Sequence, residues 1–184
     1  MPSRLRSGLA RRPWVLVMAV ALYAILRGAI LLTDFDSVCI EVYELYPMGT
    51  LAQVLREDSH VPLPIFYDNA AGQLLVGALA LPFLALFGST YLALKLLPAT
   101  LGLAVLLVVW RFCDRHFGRG SANLAALLFA LGPTTLVKYS LVASGNHFEN
   151  VFFSSLVLFA FYRLHTGGNR RLWLVAFGVA AGFA

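Results

Sequence analysis

Apolar residues gather in six long runs, at residues 14–32, 74–87, 91–110, 122–137, 151–162 and 172–184, with short polar segments between them. Several approach the ~20 residues with which a helix crosses about 30 Å of hydrocarbon. The pattern predicts an all-α, polytopic transmembrane bundle with spans over about 13–32, 91–110, 121–142, 150–163 and 172–184. Between the first two spans, Val38, Ile40, Val42, Leu45, Leu51, Val54 and Leu55 recur at amphipathic spacing, broken near Pro47 and Gly49. That segment, about 38–57, is expected to lie on the outer membrane surface as a helix. His60 with Pro62 and Pro64, followed by Tyr67, Asp68 and Asn69, is expected to form a rigid extended linker to an apolar helix over 71–87.

Charge fixes the expected topology. Ten of the fourteen bases fall in three short segments: Arg4, Arg6, Arg11 and Arg12; Arg111, Arg115 and Arg119; and Arg163, Arg170 and Arg171. The positive-inside rule puts all three, and with them the N-terminus, in the cytoplasm. Eight of the nine acids lie in the segments between, which are then outside. Leaving through 13–32 and returning by Arg111 requires an odd number of crossings. Two apolar helices divided at residues 88–90 would make that number even. The shorter one, at 71–87 with Pro82, is therefore expected to lie in or dip into the outer face, and 91–110 to cross.

Composition narrows the class. With 60% of 184 residues hydrophobic and 12% charged, one soluble core could not enclose the apolar excess. A formal charge of +5 held in short loops between spans describes topology and not nucleic-acid binding. Cys39 and Cys113 are expected on opposite faces, so no disulfide or metal framework follows. Ala19, Val20 and Ala21 match a small-x-small cleavage pattern, but the apolar run continues to Leu32, and a retained helix is the better reading. The last run has barely begun at Ala184, which suggests the N-terminal part of a longer chain, inactive in isolation.

Candidate chemistry lies on the outer side. Asp34 and Asp36 follow the first span directly. Two carboxylates fixed there suit proton abstraction, metal binding or orientation of a leaving group, and a plain helix cap is the alternative. Glu149, with Asn146 and His147, occupies the second outer loop. Arg27, Lys95 and Lys138 sit near the outer ends of their spans, where they either snorkel to the headgroups or converge on an anionic lipid phosphate. His60 lies in the linker. No Walker, Rossmann, zinc or nucleophile-elbow motif is present.

The succession is specific in order. An acidic motif (Asp34, Phe35, Asp36, Ser37) precedes the surface helix, the 60–64 segment and an apolar helix ending at Phe87 and Gly88. The 91–110 span with Lys95, the basic turn 111–120, a span with Pro133 and outer Glu149 follow. In this the chain resembles the N-terminal half of the GT-C superfamily of membrane glycosyltransferases, which includes protein O-mannosyltransferases and aminoarabinose transferases (glycosyltransferase family 39-like). The resemblance implies transfer of a sugar from a polyprenyl-phosphate donor to an acceptor of unknown identity at the outer, periplasmic face of a bacterial inner membrane. By resemblance, Asp36 is the essential acid, Asp34 its alternative and Glu149 the second acidic position. Arg27, Lys95 or Lys138 would neutralise the lipid phosphate, and His60 and His147 would contact substrate. No cofactor is implied with certainty; some relatives use a divalent metal. The rival readings are a transporter or flippase subunit for a lipid-linked substrate, and a noncatalytic polytopic protein.

Overall fold

A computed structural model describes residues 14–33, 73–88, 90–143, 148–167 and 169–184. Among the described residues the chain is all-helical, with no strand. Numbered within them, the helices are α1 (Trp14–Thr33), α2 (Gln73–Phe87), α3 (Tyr91–His116), α4 (Arg119–Leu131), α5 (Thr134–Tyr139), α6 (Phe148–Thr166) and α7 (Arg170–Phe183). Two of them, α1 and α3, are long and apolar enough to cross a membrane. The surface helix expected at 38–57 lies outside the described residues.

Local chemistry sets the boundaries. Thr90 opens α3 in an extended conformation, its hydroxyl accepting from the Ala93 amide at 3.3 Å. Asn169 caps α7 in the same way, through the Leu172 amide. Between α3 and α4, Gly118 stands at φ 84°, ψ 167°, a region open essentially to glycine alone. Gly118→Ala is therefore expected to cost about 1–3 kcal/mol. A thermal melt of the purified protein would report this as a lower Tm, and an unchanged Tm would count against it.

The stretch expected to span, 121–142, is not one unbroken helix. The helix stops at Leu131 and restarts as the short α5, because Pro133 cannot donate to the Phe129 carbonyl and Gly132 adopts a non-helical conformation. The break leaves carbonyls in the last turn of α4 without helical donors, and one of them becomes important below.

Packing gives the bundle two chemically distinct ends. Helix α1 buries one stripe, Ala19, Tyr23, Arg27 and Leu31, repeating every fourth residue. Ala19 and Tyr23 share a core with Leu106 of α3 and with Ala126 and Ala130 of α4. Leu31 packs near Ala99, so α1 and α3 run antiparallel. Helix α2 joins the α3 half remote from the basic turns, with Val76, Ala80 and Leu84 clustered on Ala93, Leu94, Leu97 and Leu101. At 15 residues it spans about 22 Å, less than a hydrocarbon core. Helices α6 and α7 form an antiparallel hairpin, with Phe153 against Phe183 (centroids 5.4 Å) and Phe159 against Trp173 (5.7 Å).

The two hairpin turns meet at one end, where the His116 and Tyr162 rings lie 4.0 Å apart. Arg111, Arg115, Arg119, Arg163, Arg170 and Arg171 therefore collect at that end, together with the start of α1. Asp114 is their neighbour, 3.1 Å from Arg119 and 3.7 Å from Arg111. The remaining surface is strongly apolar: Val17, Met18, Ile25 and Leu32 of α1 and Leu172, Leu174 and Val175 of α7 point outward.

Candidate functional site

The opposite half of the bundle holds the buried charges. Arg27 is 2% exposed, Lys95 1% and Glu149 2%. They come from three different helices, and each lies in the half away from the arginine turns. Snorkelling, one of the two expectations for Arg27 and Lys95, is not what these side chains do: both are enclosed by protein. Lys138, on the exposed short helix α5, is half-buried.

Arg27 shows why a base can be held there. Its Nη1 donates to the Ala130 carbonyl, one of the acceptors orphaned by the break at Gly132 and Pro133. Its Nε donates to Ser140 Oγ at 3.1 Å, and that hydroxyl donates onward to the Val137 carbonyl at 2.6 Å. The guanidinium lies 3.9 Å from the centroid of the Tyr23 ring, in cation–π geometry. Tyr23 in turn donates to the Ala99 carbonyl at 2.9 Å. One planar fork thus ties α1 to the end of α4 and to the turn after α5, while Tyr23 ties α1 to α3. The Nη2 atom is buried with no hydrogen-bond partner among the described residues.

Glu149 is carried on the first turn of α6. Its neighbour Phe148 packs on Gly102 of α3, where the Tyr23 hydroxyl also arrives. Phe129 stacks on Tyr23 (6.3 Å) and meets Phe148 edge-on (6.3 Å), completing an aromatic floor. Tyr23 is therefore the hinge between the Arg27 network and the start of α6. Lys95 lies one turn from Ala99, toward the N-terminus of α3, on the same half.

Next to Glu149 a cleft of about 690 Å³ opens between α5 and α6. Phe148 and Asn150, the two neighbours of Glu149, line it, as do Thr135, Tyr139 and Ser154. Ser154 and Asn150 are hydrogen-bonded at 3.1 Å. The cleft thus offers an apolar wall with a few polar groups, the general composition of small-molecule sites.

Of the residues singled out by sequence, Arg27, Lys95, Lys138 and Glu149 are described, and the first two with Glu149 are buried in one half. Asp34, Asp36, His60 and His147 lie outside the described residues. Among the described residues no cluster of His, Cys, Asp or Glu could hold a metal ion. Sequence reading missed Tyr23, Gly102 and Ser140. Tyr23 was signalled by its place one turn before Arg27 on the buried stripe; Ser140 is 113 residues from its partner and carried no local sign. No family model, curated protein or solved structure matches this chain.

Proposed function

We propose that the chain is a polytopic protein of a bacterial inner membrane, N-terminus cytoplasmic, that belongs to a lipid-dependent glycosyltransferase of the GT-C type. The observation that supports it most is the burial of Arg27, Lys95 and Glu149, on three different helices, in the half away from the arginine turns, with a cleft lined by both sequence neighbours of Glu149. Charges inside a membrane cost at least ~2.5 to 3.5 kcal/mol on insertion scales, so their retention argues for use.

In this reading a polyprenyl-phosphate sugar binds with its phosphate toward the basic groups. Arg27 spends Nε and Nη1 on the protein and keeps Nη2 as a donor; Lys95 and Lys138 supply compact positive charge. Asp36, or Asp34, takes the proton from the acceptor hydroxyl as it attacks the anomeric carbon, and the lipid phosphate leaves with the bonding electron pair. Glu149 is the second acid, and His60 and His147 contact the sugar or the acceptor. Fixed bases facing the departing phosphate stabilise charge where it develops. The flippase reading is weaker, since a polar path across the membrane is needed and the second cleft, nearer the arginine turns, is almost wholly apolar.

The test uses the product of the full reading frame in native membranes, with labelled polyprenyl-phosphate mannose or aminoarabinose as donor. Release of polyprenyl phosphate is expected, and Asp36→Asn should lower the rate by about 10²-fold or more, as loss of a general base does. Full activity in both Asp36→Asn and Glu149→Gln, or no turnover of either donor, would overturn the assignment.

A further inference from the structure

A second cleft, of about 300 Å³, lies between α3 and α6 nearer the arginine turns, meeting the first at Ser155 and Leu158. Val108, Val109 and Phe112 form one wall and Leu158, Phe159 and Tyr162 the other. Ser155 also faces it, but its hydroxyl is satisfied within its own helix by the Val151 carbonyl at 2.7 Å. The slot is thus apolar along its length.

Its mouth is not apolar. On α3 the stripe Val108, Phe112 continues one turn on to Arg115, and Val109, Phe112 continues to His116. On α6 the stripe Leu158, Tyr162 continues to His165, and Phe159 to Arg163. His116 closes on Phe112 at 4.5 Å and on Tyr162 at 4.0 Å, which sets the basic rim directly on the slot. His116 Nε2 and Arg163 Nε are buried with no hydrogen-bond partner among the described residues. Asp114 is engaged by Arg119 and Arg111, and Arg115 has no ion pair among the described residues.

We infer that this slot and its rim are a binding site for an anionic phospholipid of the cytoplasmic leaflet. One acyl chain lies between α3 and α6, and the phosphate sits on Arg115, His116 and Arg163. A narrow apolar slot excludes a polar peptide, and a rim of bases with no ion pair among the described residues favours a headgroup with net negative charge over a zwitterionic one. Basic pockets between transmembrane helices on that side of a membrane recognise such headgroups. The inference rests on the membrane reading above but not on sugar transfer.

Trp173 reports on the site, since it lies against Phe159 (5.7 Å) and under Arg163 (5.1 Å). A Trp14→Phe, Trp110→Phe protein, keeping Trp173 as its tryptophan, would be reconstituted in phosphatidylcholine vesicles with dibrominated phosphatidylglycerol or dibrominated phosphatidylcholine as quencher. Half-maximal quenching is expected at about five-fold or more lower mole fraction of the anionic lipid, the size expected of one base near an anionic surface. Arg115→Gln with Arg163→Gln should abolish the preference, and raising salt to roughly 0.5 M on the unsubstituted rim should weaken it. Equal quenching by both lipids, or a preference that survives the double substitution and the salt, overturns the site. Failure to float with vesicles would defeat the membrane reading itself, before any lipid is compared.

Discussion

Gly102→Leu is expected to be among the most damaging single substitutions in the described part of the chain. A Cβ at Gly102 would run into the Tyr23 hydroxyl and stand 3.0 and 3.1 Å from two carbons of the Phe148 ring. Neither neighbour can step aside freely. Tyr23 is held by its bond to the Ala99 carbonyl and by the overlying Arg27, and Phe148 by Phe129. Overpacking of a well-filled core costs about 1–3 kcal/mol, and a side chain of leucine size should reach the top of that range. In detergent this would appear as a Tm lowered by roughly 5–10 °C. Gly102→Ala should be milder, and combining it with Tyr23→Phe should cost less than the sum of the two, because the phenylalanine removes the oxygen that the new methyl meets. Additive losses would show that the three residues do not share one contact.

Arg27→Ala is the second large effect. It strips the donor from the Ala130 carbonyl and from Ser140, and uncovers the Tyr23 ring. A buried acceptor left unpaired costs about 1–3 kcal/mol, and bonds from a charged donor are toward the strong end. The expected total is about 3 kcal/mol, measured as loss of Tm or of resistance to denaturant. Arg27→Lys should recover less than half of it, since one ammonium cannot serve two acceptors in the fixed fork of a guanidinium. Full recovery by lysine would mean that charge alone matters and that the bridge from α1 to the α4–α5 break is not structural. Should sugar transfer be lost in Arg27→Lys while stability holds, the guanidinium would have a role toward the lipid phosphate beyond its structural one.

These two residues also mark where sequence reading succeeds and where it stops. Helices cover the apolar runs, and the breaks after Phe87, His116 and Thr166 fall at glycines of positive φ, Gly88, Gly118 and Gly167. Gathering of the arginine turns at one end followed from the positive-inside rule and agrees with the ring contact between His116 and Tyr162. The break at Gly132 and Pro133 was written in the sequence, yet overall hydropathy carried the expected span across it. What could not be read was the use made of that break. A carbonyl freed in α4 is satisfied by an arginine 103 residues earlier, and no local pattern encodes such a pairing. For the same reason Arg27 and Lys95 read as snorkelling candidates by their position near span ends, while the fold encloses both. Gly102 is silent in sequence because its role is the room it leaves for Tyr23 and Phe148. Asp34 and Asp36 remain known by sequence order alone.

In the proposed topology the arginine turns and the half holding Lys95 and Glu149 lie on opposite sides of a membrane. Single cysteines at exposed Thr90, Ser121 and Thr166, in a background with Cys39 and Cys113 replaced by alanine, test it directly in intact cells with a membrane-impermeant maleimide. Labelling at position 90, with 121 and 166 reacting only after the membrane is opened, is the predicted result. Labelling at 121 and 166 in intact cells with 90 protected, or equal reaction at all three, would contradict it and remove the ground for an outer-face transfer site.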